Sequence, residues 1–133
     1  MLDAARNGEH ALLVAPTGAG KTLAGFLATL AELVETPTDG LHTLYVSPLK
    51  ALAVDVRRNL LLPVEEMGLD IRVETRTGDT PSERKARQRA RPPQILLTTP
   101  ESLSLLHSYP DSFQMFAALR TVIIDEVHAF APQ

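Results

Sequence analysis

The stretch Ala15-Pro16-Thr17-Gly18-Ala19-Gly20-Lys21-Thr22 has the residue types and spacing of a phosphate-binding loop. An apolar run, Ala11-Leu12-Leu13-Val14, precedes it, and a helical pattern beginning Leu23-Ala24-Gly25-Phe26-Leu27 follows. In a strand–loop–helix of this kind, successive backbone N–H groups point at the phosphates of a nucleoside triphosphate. Lys21 supplies a point charge near the terminal phosphates, and the Thr22 hydroxyl can ligate Mg²⁺. Pro16, Thr17, Gly18, Ala19, Gly20, Lys21 and Thr22 are therefore the candidate nucleotide-binding residues. Ala15 stands where the common pattern begins with Gly, a mild change, while Gly18 and Gly20 remain where backbone must approach phosphate. The alternative is a Gly-bearing β-to-α turn with no ligand.

A second chemical element lies at the other end of the chain. The apolar, β-branched run Thr121-Val122-Ile123-Ile124 ends in Asp125-Glu126-Val127-His128. A buried strand of this type delivers two carboxylates to its C-terminal tip. Asp125 is the candidate Mg²⁺ ligand, together with Thr22, usually through water, and Glu126 is the candidate base that orients and deprotonates an attacking water. Alone, this tetrapeptide is equally readable as a solvated acidic strand end; its pairing with the upstream loop argues for chemistry.

Both elements need a scaffold that brings their tips together. Apolar runs predict strands at 10–15, 43–47, 71–75, 94–98 and 122–125, separated by helical patterns. The helices are expected at 23–34, at 49–67 with a break or bend at Pro63, from Pro81 to about 90, and at 101–107 behind Pro100. Continuously apolar strands with intervening helices imply an α/β fold, a parallel sheet covered on both faces in three layers. Ligands of such sheets gather at the C-terminal strand ends, where each motif lies.

The chain has 133 residues, enough for about one domain. It is 44% hydrophobic, 22% charged and carries a net charge of −3, so any nucleic-acid surface must be local. With no cysteine, disulfides, thiolate metal sites and cysteine nucleophiles are excluded. The N-terminus has no signal architecture, and the longest apolar stretch is interrupted by Thr29 and Glu32, so a soluble cytoplasmic protein without membrane partners is expected. Residues 82–91 form a concentrated basic segment whose charges wrap a helix, readable as a solvated surface helix or as a strand contact. His10, His42 and His107 show no ligand spacing and read as surface or strand-end residues.

Taken in order, these motifs resemble the first RecA-like motor domain of a superfamily 2 DExH-box helicase. The loop 15–22 matches motif I, Ser47-Pro48-Leu49-Lys50-Ala51-Leu52-Ala53 matches motif Ia, and Asp125-Glu126-Val127-His128 matches motif II. Thr77-Gly78-Asp79 and Thr98-Thr99-Pro100-Glu101-Ser102-Leu103 match the two nucleic-acid motifs between them, Ib and Ic. The wording Ser-Pro-Leu-Lys-Ala-Leu-Ala-Val-Asp over 47–55, followed by Arg57-Arg58-Asn59-Leu60, is similar to Lhr-type (large helicase-related) enzymes, nearest the bacterial subgroup encoded beside a DNA ligase.

The resemblance implies a P-loop NTPase using ATP and Mg²⁺, with Lys21, Asp125, Glu126 and His128 as catalytic residues, His128 linking the nucleotide site to the rest of the motor. It also implies a single-stranded nucleic-acid partner, DNA rather than RNA, moved 3′-to-5′ during repair, with backbone contacts at Pro48, Leu49, Lys50, Gly78, Thr99, Pro100 and Glu101. Backbone N–H groups at helix starts suit phosphates of any sequence; the alternative is that these positions are helix caps with no ligand.

Family members carry an adenine-reading glutamine upstream of the phosphate loop, whereas the first glutamine here is Gln88, and the sequence stops five residues after His128. The expectation is an incomplete domain spanning 1–133, with the second RecA-like domain and its transition-state arginines absent. Since such an arginine is worth ~10³–10⁵ in rate, the chain by itself should bind nucleotide with little or no turnover. The alternatives are a DNA translocase or RNA helicase of another branch of the superfamily, a non-catalytic fragment that binds nucleotide or nucleic acid, and an inert piece that binds neither.

Overall fold

The strands Thr43–Val46 and Ile95–Thr98 are buried at every position, the burial expected of central strands in a sheet covered on both sides. The computed structural model describes residues 11–16, 19–110 and 112–126, with side chains over 25–110 and 114–125. Five strands form one sheet: β1 (Ala11–Pro16), β2 (Thr43–Val46), β3 (Val73–Arg76), β4 (Ile95–Thr98) and β5 (Thr121–Glu126), in the order β1-β5-β2-β4-β3. Every pairing is parallel. The helices are α1 (Ala19–Glu35), α2 (Lys50–Glu66), α3 (Ser82–Ala90), α4 (Pro100–His107) and the five-residue α5 (Ser112–Phe116).

Alternation along the strands separates two apolar layers. Tyr45, Val73, Ile95, Leu97 and Ile123 face Phe26, Leu30 and Leu33 of α1 and Ala53, Leu60 and Val64 of α2. Leu44, Val46, Leu96 and Val122 face the opposite way, against Leu103 and Leu106 of α4 and Met115 and Phe116 of α5. The arrangement is the expected three-layer α/β domain. Among the described residues no helix is long and apolar enough to cross a membrane.

Four details depart from the sequence expectations. First, α1 begins at Ala19, so the second half of the phosphate loop is the helix's first turn. Second, α2 runs through Pro63 without breaking: the missing N–H costs one bond, but Leu60 and Val64 on either side are buried and Met67 N–H already donates to Pro63 O at 3.0 Å. Third, β3 starts at Val73, because Arg72 N–H donates to the Gln94 side-chain Oε1 at 2.8 Å. Fourth, α5 was not expected; its Met115 is buried against the α4 face.

The end of α2 shows how the chain is turned back into the sheet. Gly68 adopts φ 65, Gly68 N–H donates to Glu65 O at 3.1 Å and Leu69 N–H to Val64 O at 3.0 Å. This is a Schellman motif, which satisfies carbonyls the helix would leave orphaned. It directs Leu69 and Ile71 onto the α1/α2 layer.

Candidate functional site at the strand tips

The C-terminal ends of all five strands lie along one edge of the sheet, and each carries one of the motifs. β1 and β5 are adjacent, with Ala15 opposite Asp125 and Pro16 opposite Glu126. The start of the phosphate loop is thus laid directly beside the two acidic residues. Ala19, Gly20, Lys21 and Thr22 form the opening of the 17-residue α1, whose first N–H groups lack intrahelical partners and whose dipole favours an anion. Thr17 and Gly18 lie outside the described residues, as does His128, and the side chains of Lys21, Thr22 and Glu126 are likewise outside them.

Asp125 is 5% exposed, and its two oxygens are treated differently. Oδ2 accepts a 2.6 Å hydrogen bond from the Tyr45 hydroxyl, and Oδ1 is buried without a hydrogen-bond partner among the described residues. An unpaired buried carboxylate oxygen is costly. Burial, and then the bond to Asp125, push the Tyr45 phenol well above its ordinary range, so it stays a proton donor. Among the described residues no group of three or more His, Cys, Asp or Glu side chains could hold a metal ion. Asp125 Oδ1, an anionic oxygen with no hydrogen-bond partner among the described residues, has the chemistry that fits Mg²⁺ accompanying a nucleotide.

The nucleic-acid candidates occupy the tips of β2, β4 and β3. Pro48, Leu49 and Lys50 are exposed where β2 passes into α2, and the Ser47 hydroxyl accepts from Leu49 N–H at 3.2 Å to shape that turn. Thr99 is buried and is the N-cap of α4, its hydroxyl accepting from Ser102 N–H, while Pro100 and Glu101 are exposed in the first turn. Gly78 is exposed in the turn after β3. Lys50 Nζ donates to Asp79 Oδ2 at 2.7 Å, and this bond holds the Asp79 carboxyl below its ordinary value.

The basic helix α3 is a surface element with one anchored side. Arg84, Arg87 and Arg91 are exposed, but Gln88 is buried and donates to Thr75 O and Glu74 Oε1, both at 3.0 Å. Arg76, 2% exposed, donates to Lys85 O at 2.9 Å and to Gln88 Oε1, and burial lowers its guanidinium from the ordinary value. The Arg89 guanidinium lies 3.8 Å from the centroid of the Tyr109 ring. The sequence assigns no structural role to Tyr45, Arg76 or Gln88. The available signal for the first was a hydroxyl-bearing ring inside a fully apolar strand, which needs a partner when buried.

His42, expected at the surface or a strand end, is at a strand end but buried. Its ring bonds Thr43 Oγ1 at 2.8 Å and Glu32 Oε1 at 3.0 Å, at the pole opposite the site. This group closes the N-terminal edge of the sheet and contributes nothing to the strand-tip chemistry.

A parallel sheet with the 15–22 sequence entering α1 after β1 and an Asp-Glu pair at the tip of the neighbouring strand has the arrangement of a RecA-like domain. The DEAD/DEAH box helicase family matches residues 1–133, and the chain belongs to that family. Among its relatives, the ATP-dependent helicase Lhr-Core protein 2 of Thermococcus barophilus is 45% identical over 139 residues, covering 93% of this chain and 16% of the relative. The structure of Mycobacterium smegmatis helicase Lhr bound to ssDNA and AMP-PNP is 46% identical with a TM-score of 0.74, over 97% of this chain and 18% of that one. The DUF1998 helicase MrfA bound to DNA and AMPPNP is 32% identical with a TM-score of 0.75, over 94% of this chain and 17% of that one. The chain therefore spans less than a fifth of the length of each of these proteins.

Proposed function

We propose that this chain is the ATP-binding part of an Lhr-type, ATP-dependent DNA helicase or translocase, spanning motifs I to II of the first RecA-like domain. The observation that carries this reading is the β1–β5 register, which sets Ala15 opposite Asp125 and Pro16 opposite Glu126, with Asp125 Oδ1 buried and without a hydrogen-bond partner among the described residues. The likeness to helicases bound to DNA and AMP-PNP supports nucleotide and DNA as the two ligands.

In this reading the backbone of 16–22 wraps the phosphates, Lys21 neutralises the terminal phosphates, and Thr22 and Asp125 are the ligands for Mg²⁺. The ion, when bound, neutralises charge on the β- and γ-phosphates. Glu126 accepts the proton of a water aligned with the γ-phosphate, and His128 links that step to the rest of the motor. Pro48, Leu49, Lys50, Gly78, Thr99, Pro100 and Glu101 face a single DNA strand across the other three tips. Neither β1, α1 nor β5 contains an arginine. Transition-state charge would then be balanced by arginines of a second RecA-like domain, and the chain alone would bind ATP with negligible turnover.

The test is the thermal unfolding midpoint of the chain and of Lys21→Ala, with and without Mg²⁺-ATP. Binding to the folded state stabilises by about 2.7 kcal/mol at a hundredfold excess over the dissociation constant. The wild-type chain should shift and Lys21→Ala should not; an unshifted wild-type chain would sink the reading.

A further inference from the structure

Tyr45 lies at the middle of β2, and none of the roles above uses its hydroxyl. The ring is 0% exposed and packs against Phe26 of α1 with centroids 5.6 Å apart. On the sheet it pairs with Ile123 of β5, and Asp125 is two residues further along, hence on the same face. The phenol reaches along the ladder and donates to Asp125 Oδ2 at 2.6 Å.

This bond does something a generic core contact would not. An aspartate carboxyl rotates over a broad range about its last torsion, so a buried one with no fixed partner can present either oxygen in many directions. A phenol held rigidly between a strand and α1 pins one oxygen and thereby aims the other. Because the donor is neutral, it also leaves the carboxylate its full charge, which a lysine or arginine at that place would offset. The oxygen left over, Oδ1, is the one buried without a hydrogen-bond partner among the described residues.

We propose that Tyr45 is the positioning residue for the cation-binding carboxylate, holding Asp125 Oδ2 so that Oδ1 faces the Mg²⁺ of a bound nucleotide. The inference rests on the nucleotide-site reading above. Outer partners of metal-ligating side chains set affinity by about 10–100-fold when removed, and this bond belongs in that range.

Calorimetric titration of ATP into the wild-type chain and Tyr45→Phe, each in Mg²⁺ and in EDTA, separates positioning from packing. Phe keeps the ring against Phe26 and removes the donor alone. The expected result is that ATP binding in EDTA is equal in both chains, while the gain in affinity from Mg²⁺ falls about tenfold or more in Tyr45→Phe. An undiminished Mg²⁺ gain in Tyr45→Phe would overturn the proposal even if that variant is less stable. A wild-type chain that binds no nucleotide would overturn the reading beneath it instead. Should Tyr45→Phe not fold, the wild-type chain labelled with 3-fluorotyrosine decides. It has two tyrosines, Tyr45 and Tyr109, assigned with Tyr109→Phe. Adding Mg²⁺ to the ATP-saturated chain should move the Tyr45 fluorine resonance and leave that of Tyr109; an unmoved Tyr45 signal overturns the proposal.

Discussion

Lys50 Nζ lies 2.7 Å from Asp79 Oδ2, joining the turn after β2 to the turn after β3 although β4 runs between those strands. The pair crosses the edge where the nucleic-acid candidates sit, and both side chains are well exposed, at 56% and 78%. Because the bond holds the Asp79 carboxyl below its ordinary value, its contribution is present above that value and disappears as pH falls through the lower, folded one. NMR titration should find Asp79 depressed in the wild-type chain and back at its ordinary value in Lys50→Ala. Exposure and screening make the pair weak, so the unfolding midpoint should barely move.

Leu97 sits in β4 with no exposure, in the layer beneath α1 and α2. Leu97→Ala should cost about 2–5 kcal/mol, the transfer of a buried side chain plus the cavity left behind. Urea unfolding should show this as a lower midpoint at unchanged slope.

Gly68 and Gly78 both have open space where a Cβ would go, yet they should behave differently. Gly68 has φ +65, so Gly68→Ala should lose roughly 1–2 kcal/mol through left-handed strain alone. Gly78 carries no such φ, and Gly78→Ala should leave the unfolding midpoint in place. A salt-dependent loss of affinity for single-stranded DNA in Gly78→Ala, with stability intact, would then report on contact and not on folding.

Gln88 ties α3 to the edge strand β3 through Thr75 O, Glu74 and Arg76. Gln88→Ala leaves buried Arg76 short of an acceptor and half-buried Thr75 O and Glu74 short of a donor, which should cost about 1–3 kcal/mol. Hydrogen exchange should speed up in β3 and α3 before the central strands.

The places where sequence reading succeeded share a cause. Thr-Leu-Tyr-Val and Ile-Leu-Leu-Thr are apolar runs buried on both sides, and Pro81 and Pro100 mark helix starts through their own fixed geometry, so a window of a few residues contains the information. The misses are long-range. Gln94 displaces the start of β3 by bonding Arg72 N–H, and the Tyr45–Asp125 bond joins residues 80 positions apart, which no local pattern reveals. Nor does chain order disclose that β5 pairs with both β1 and β2.

That insertion also governs the order in which the protein can assemble. Of the five described strands β1 is made first, and its partner among them is β5: Ala11 waits for Thr121. The strands β2, β4 and β3 can zip together as soon as they emerge, but the half of the sheet that bears the phosphate loop has no neighbour until nearly the whole described chain exists. Pairings so distant in sequence close slowly. Among the described strands, the tips of β2, β4 and β3 should therefore be set beside one another early and the tips of β1 and β5 only afterwards, with the β1 edge that β5 will cover left open for chaperones to shield in the meantime.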